Sequence, residues 1–110
     1  DLFEETAFSS TTVLVLNFGE TESNYALRIL ADLRSMGVNA EFYPDAVKLK
    51  KQMSYADAKK IPFIIIAGED EIKSDSMNIK NMSTGQQINL ALTGLKSFVN
   101  EYIKPGQPSR

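Results

Sequence analysis

In the middle of the chain Pro62 to Ala67, PFIIIA, is an unbroken apolar run rich in β-branched side chains. A strand that is apolar at every position buries both faces, so this run is expected at the centre of a sheet covered by helices on both sides. Thr12 to Phe18, TVLVLNF, has a similar character and predicts a second interior strand, ended by Gly19. Between the two runs the rhythm changes twice. Ala26, Ile29, Leu30 and Leu33 recur at helical spacing, predicting a helix capped by Thr21 or Ser23, running to about Met36 and stopped by Gly37. Val38, Ala40 and Phe42 then alternate with Asn39, Glu41 and Tyr43, the mark of a half-buried strand, and Pro44 ends it. Asp45 reads as the cap of a second helix, about Ala46 to Lys60, with Leu49, Met53 and Ala56 on its apolar side. The order β-α-β-α-β implies parallel strands joined by right-handed crossovers.

Beyond Gly68 the pattern is different. Glu69-Asp70-Glu71 forms an acidic loop at the carboxyl end of the central strand, the end at which open α/β sheets commonly bind ligands. Met77 and Ile79 alternate with Asn78 and Lys80, Ser83-Thr84-Gly85 makes a turn, and Gln86 to Leu90 returns as a short strand. Both strands are expected to add antiparallel. The fold class is therefore α/β, three-layered, with a mixed five-stranded sheet and helices on both faces. Leu92, Leu95, Phe98, Val99, Tyr102 and Ile103 predict a last, core-docked helix, ended by Pro105-Gly106. Residues 1–11 read as an entry linker, 12–103 as the domain and 104–110 as a frayed tail.

Composition narrows the chemistry. With 110 residues and an apolar fraction of 43%, the chain suits one domain with one core. It has no cysteine and no histidine, which excludes disulfide scaffolds, thiolate zinc sites, cysteine nucleophiles and Ser-His-Asp catalysis. No apolar run approaches the roughly 18–20 residues that span a membrane, and the acidic start Asp1-Leu2-Phe3-Glu4-Glu5 is not a secretory leader. A cytoplasmic protein is expected. The formal net charge of −2 argues against broad nucleic-acid binding but leaves room for a local basic patch.

Four features carry candidate chemistry. Glu69, Asp70 and Glu71, with Asp75 nearby, suit a hard cation, acceptance of hydrogen bonds from a polar ligand, or plain solvation; the calcium-loop spacing is missing. Lys48, Lys50, Lys51, Lys59 and Lys60 crowd the second helix, where Lys48, Lys51 or Gln52, Tyr55 and Lys59 share a stripe. Such a stripe either follows a phosphate backbone or is an ordinary wet helix face. Asn78 and Lys80 project from one face of the fourth strand and offer donors and acceptors to a nucleobase edge; the plain alternative is a solvated edge strand. Gly19-Glu20-Thr21 lies between strand and helix as phosphate loops do, but its single glycine lacks their pattern.

The succession YPDAVKLKKQMSYADAKKIPFIIIAGEDE followed by MNIKNMSTGQQ resembles the anticodon-binding domain at the carboxyl end of class IIa aminoacyl-tRNA synthetases. Lys-Leu-Lys-Lys-Gln with Tyr55-Ala56-Asp57 is similar to the histidyl subfamily in particular, and the likeness covers roughly residues 11–103. The resemblance implies recognition of a tRNA anticodon, GUG for histidine, by a domain without a catalytic site or cofactor of its own. ATP and magnesium would belong to an upstream catalytic domain, and the parent ligase would be a homodimer while this domain alone would be a monomer. It further implies that Glu71, at the end of a Gly-x-x-Glu loop, meets an anticodon base, and that Lys80 contacts bases or backbone from the next strand, where some subfamilies carry arginine. Lys48, Lys51 and Gln52 would lie beside the anticodon stem-loop, with Asn78 next to the acidic loop. A threonyl, prolyl or glycyl relative, a synthetase-derived interaction module and a small-ligand α/β enzyme are the competing readings.

Overall fold

The computed structural model describes residues 11–103. Five strands, β1 (Val13–Val15), β2 (Ala40–Phe42), β3 (Phe63–Ile66), β4 (Ser76–Asn81) and β5 (Gln87–Ala91), form one sheet in the order β2-β1-β3-β4-β5. β1 pairs in parallel with both β2 and β3, whereas β3–β4 and β4–β5 are antiparallel. The mixed sheet expected from the hydrophobic pattern is therefore what forms, with the Pro62–Ala67 run on its middle strand. Three helices, α1 (Glu20–Ser35), α2 (Leu49–Ala58) and the short α3 (Glu69–Lys73), follow the three parallel strands. The described chain ends in a 3₁₀ turn (Leu92–Gly94), a single α turn, α4 (Leu95–Phe98), and a π-helical turn (Val99–Ile103).

Strand alternation sends successive side chains to opposite faces, and the two faces are covered unequally. On one, Val13, Val15, Ile65, Met77 and Ile79 pack against Ala26, Ile29, Leu30 and Leu33 of α1 and against Leu95, Phe98 and Val99. On the other, Leu14, Leu16 and Ile64 pack against Ala56 of α2 and Ile61. Its strand residues come from β1 and β3, and Met82, just past β4, packs against it. Register carries its face onward to Asn78 and Lys80 of β4, opposite Ile66 and Ile64, and then to Asn89 and Gln87 of β5. Asn78 and Lys80 are half-buried and Gln87 and Asn89 exposed, so the layer of helix ends where the polar residues begin.

Several local expectations are corrected. α1 begins at Glu20, with Gly19 at the N-cap, because the Asn17 side chain accepts the Gly19 N–H at 2.9 Å and turns the chain before Thr21; Ser23 instead bonds back to the Gly19 carbonyl at 2.7 Å. α2 begins at Leu49, not Ala46, with Lys48 rather than Asp45 at the N-cap. The Val47 N–H closes a tight turn on the Asp45 carbonyl at 2.9 Å, which keeps 45–47 out of the helix. Leu49 is exposed, and the inward position is taken by Gln52. The acidic loop is the helix α3: Glu71 Oε1 accepts the Gly68 N–H at 2.7 Å, half of a capping box, and acids suit the positive end of a helix. Tyr102 leaves the core and lies 57% exposed on Phe98, ring centroids 5.0 Å apart. The linker at 1–10 and the tail at 104–110 lie outside the described residues. Thr11, grouped with that linker by sequence, is buried and its hydroxyl donates to Glu41 Oε2 at 2.6 Å.

Candidate nucleic-acid interface

Glu71 stands on α3 just past the carboxyl end of β3, and both of its oxygens are held. Oε1 accepts from Gly68 N–H at 2.7 Å, and Oε2 accepts from Asn78 Nδ2 at 3.0 Å. Asn78 Oδ1 in turn accepts from Asn89 Nδ2 at 3.0 Å, and the same Asn89 nitrogen lies 3.3 Å from Ser76 Oγ. A carboxylate has about four acceptor positions, so two bonds leave Glu71 with capacity for a ligand and fix where that capacity lies. Lys80 sits two residues beyond Asn78 on the same face of β4. The structure thus brings Glu71, Asn78 and Lys80 onto one open surface.

Tyr25 supports this corner from below. Its hydroxyl donates to the Ser76 carbonyl at 2.7 Å and lies 3.3 Å from the Glu71 carbonyl, tying α1 to the start of β4 and to α3. Burial raises the phenol pKa, and the negative charge of Asp75 adds to the shift. Asp75 itself has a positive φ of 51°, marking the sharp passage from α3 into β4.

The lysine helix reaches the same edge of the sheet. Gln52 Oε1 accepts the Asn17 N–H at 2.8 Å, while its Nε2 donates to the carbonyls of Asn17 at 2.8 Å and Val47 at 2.9 Å. Asn17 lies two residues past β1, so these bonds pin the first turn of α2 at the carboxyl end of the parallel strands, the end that also carries Glu71. Lys48 and Lys51 are exposed there, and among the described residues neither forms an ion pair. Gln52 is different. With no exposed surface and every polar atom engaged, it belongs to the interior and is withdrawn from the stripe predicted to face RNA. Tyr55 is half-buried edge-to-face on Tyr43, centroids 5.3 Å apart, and Lys59 Nζ stands 6.0 Å over its ring.

Two other candidates carry less. Among the described residues no group of three or more acidic side chains gathers to hold a metal ion; Glu69 and Asp70 are exposed, and Glu69 meets Lys73 at 4.0 Å. The Gly19 N–H is taken by Asn17 Oδ1 and is not offered to a phosphate. Asn89 was missed by sequence reasoning. Its signal was present, since Gln87 and Asn89 alternate with Ile88 and Leu90, but its partner could be found only from the β4–β5 register.

Comparison with known proteins places the chain in a class. A family model described as "Anticodon binding domain" matches residues 12–102, and the chain belongs to that family. Its curated relatives include the histidine–tRNA ligase of Phocaeicola vulgatus, 49% identical over 79% of this chain and 19% of that protein. The histidine–tRNA ligase of Christiangramia forsetii is 45% identical over 86% of this chain and 21% of its own. Among solved structures, a histidyl-tRNA synthetase from Nostoc superposes with a TM-score of 0.80 at 27% identity, covering 84% of this chain and 22% of that one. In sequence, then, the chain is similar to the histidyl kind of anticodon-binding domain, and it spans about a fifth of the length of these relatives.

Proposed function

We propose that this chain is the anticodon-recognition domain of a histidine–tRNA ligase, and that it reads bases with the open face bounded by Glu71, Asn78 and Lys80. The observation that carries the reading is the fixed carboxylate: Glu71 is clamped by Gly68 N–H and Asn78 Nδ2, and the half-buried Lys80 follows Asn78 on the same face of β4, where no helix covers the sheet. Unpaired anticodon bases expose their Watson–Crick edges, and a carboxylate accepts both the N1–H and the N2–H₂ of guanine, present twice in GUG. Lys80 supplies a donor and positive charge to a carbonyl or phosphate within the same reach. Lys48 and Lys51 add contacts to phosphates that hold the loop without reading it. The whole ligase, a cytoplasmic homodimer by this reading, would carry histidine activation with ATP and magnesium in its other domains.

Binding to an anticodon stem-loop with GUG, and to the same stem with a permuted loop, tests the assignment. The GUG loop binds tighter, and Glu71→Ala removes that preference. Equal affinity for both loops at moderate salt, or a preference untouched by Glu71→Ala, contradicts it.

A further inference from the structure

The chemistry of the cluster fixes the direction of each of its hydrogen bonds. A carboxylate only accepts, so the Asn78 atom 3.0 Å from Glu71 Oε2 is the amide nitrogen. Asn78 Oδ1 therefore faces β5, where it too only accepts, and Asn89 meets it with its own Nδ2 at 3.0 Å. That nitrogen is also 3.3 Å from Ser76 Oγ, so its donors are turned toward β4. The chain of bonds is polarised from strand to strand to helix: Asn89 donates to Asn78, and Asn78 donates to Glu71. Asn78 and Asn89 are directly opposed in the antiparallel ladder, which sets their spacing through the backbone. Without a donor at position 89, the Asn78 amide is oriented from one side alone, by the Glu71 carboxylate, and its oxygen is no longer held toward β5. Held at one end only, the amide swings over a wider range, and Glu71 Oε2, which it clamps, loses its fixed position.

We propose that Asn89 is a positioning residue for base recognition, acting on Glu71 through Asn78 from the neighbouring strand. The inference rests on Glu71 being the carboxylate that reads a base. Asn89 is exposed on the outermost strand, so its replacement leaves the core intact.

Two arms test it. Without RNA, the side-chain amide protons of Asn78 exchange slowly with solvent in the parent protein; Asn89→Ala, and the isosteric but non-donating Asn89→Asp, accelerate that exchange in ¹H–¹⁵N spectra. With RNA, the readout is the ratio of affinities for a GUG loop and for a loop whose guanines are replaced by adenine, which cancels any uniform repulsion from an added charge. Both variants reduce that ratio about tenfold, the scale of one hydrogen bond to a charged group. In the Glu71→Ala background they change it no further, a non-additivity that a merely structural role would not produce. Unchanged Asn78 exchange, or an intact ratio in the Asn89 variants when Glu71→Ala abolishes it, overturns the proposal. A ratio unaffected by Glu71→Ala itself overturns the base-reading assignment, and this inference with it.

Discussion

Replacing Gln52 by leucine removes a side chain that sits wholly inside the protein and bridges two chain segments. Three hydrogen bonds disappear, those to the Asn17 N–H, the Asn17 carbonyl and the Val47 carbonyl. Val47 is half-buried and its carbonyl can turn to water, but Asn17 is 8% exposed and both of its backbone groups are orphaned. An unsatisfied buried group costs about 1–3 kcal/mol, so two cost about 2–6 kcal/mol. Leucine is of similar size and returns part of this as apolar burial, which sets the net loss at about 3 kcal/mol. For a domain of this size each kcal/mol lowers Tm by about 4–8 °C, giving a fall of roughly 12–24 °C. Gln52→Glu behaves differently with pH. Its carboxylate would be buried among carbonyls, raising the folded pKa above the unfolded value near 4.3, so that stability is retained in acid and lost as pH rises from about 4. Urea and thermal unfolding followed by circular dichroism measure both variants. A Gln52→Leu protein that melts with the parent but binds RNA more weakly would refute the reasoning, because the glutamine would then face the ligand.

The other predictions concern charge and the corner beneath Glu71. Lys48→Gln with Lys51→Gln weakens GUG and permuted loops alike and lowers the slope of log affinity against log salt by about 1.4, at roughly 0.7 per single-strand phosphate contact; a selective loss of the GUG loop would assign base reading to those lysines. Tyr25→Phe loses the bond to the Ser76 carbonyl and destabilises the fold by about 1 kcal/mol in denaturant titrations. Because the folded Tyr25 pKa is raised, the unfolded chain loses its proton first, so stability falls as pH climbs past about 10. Tyr25→Phe flattens that alkaline decline, and an unchanged pH profile would contradict it. Ile64→Ala, at a fully buried position of the middle strand, costs about 2–5 kcal/mol in the same titrations.

What the sequence made legible was whatever repeats over a few residues. The PFIIIA run sits on the middle strand, and the Asn78/Lys80 alternation puts both residues on one face, as their spacing required. The features that escaped depend on partners far along the chain. Gln52 is polar and counts against burial in any local pattern, yet its partner Asn17 lies 35 residues away and makes the interior its place. The acidic triplet contains no apolar period, so the short helix it forms became visible only through the Glu71 to Gly68 bond. Asn89 lies 11 residues from Asn78, and their pairing depends on the length of the turn between β4 and β5. There Asn81 accepts the Ser83 and Thr84 N–H groups at 2.8 and 3.1 Å, and Gly85 adopts a φ of 80°.

The location of the RNA surface is the claim on which the rest depends, and amide chemical-shift mapping with a GUG stem-loop addresses it directly. Shifts are expected at Gly68, Glu71, Asn78, Lys80 and Asn89, with a second group at Lys48 and Lys51 on the first turn of α2. The opposite side offers a built-in control, a cleft lined by Phe63, Ile79, Ile88, Phe98 and Tyr102 together with Asn81 and Gln86. Perturbations concentrated around that cleft, with Glu71 and its neighbours unmoved, would contradict the account.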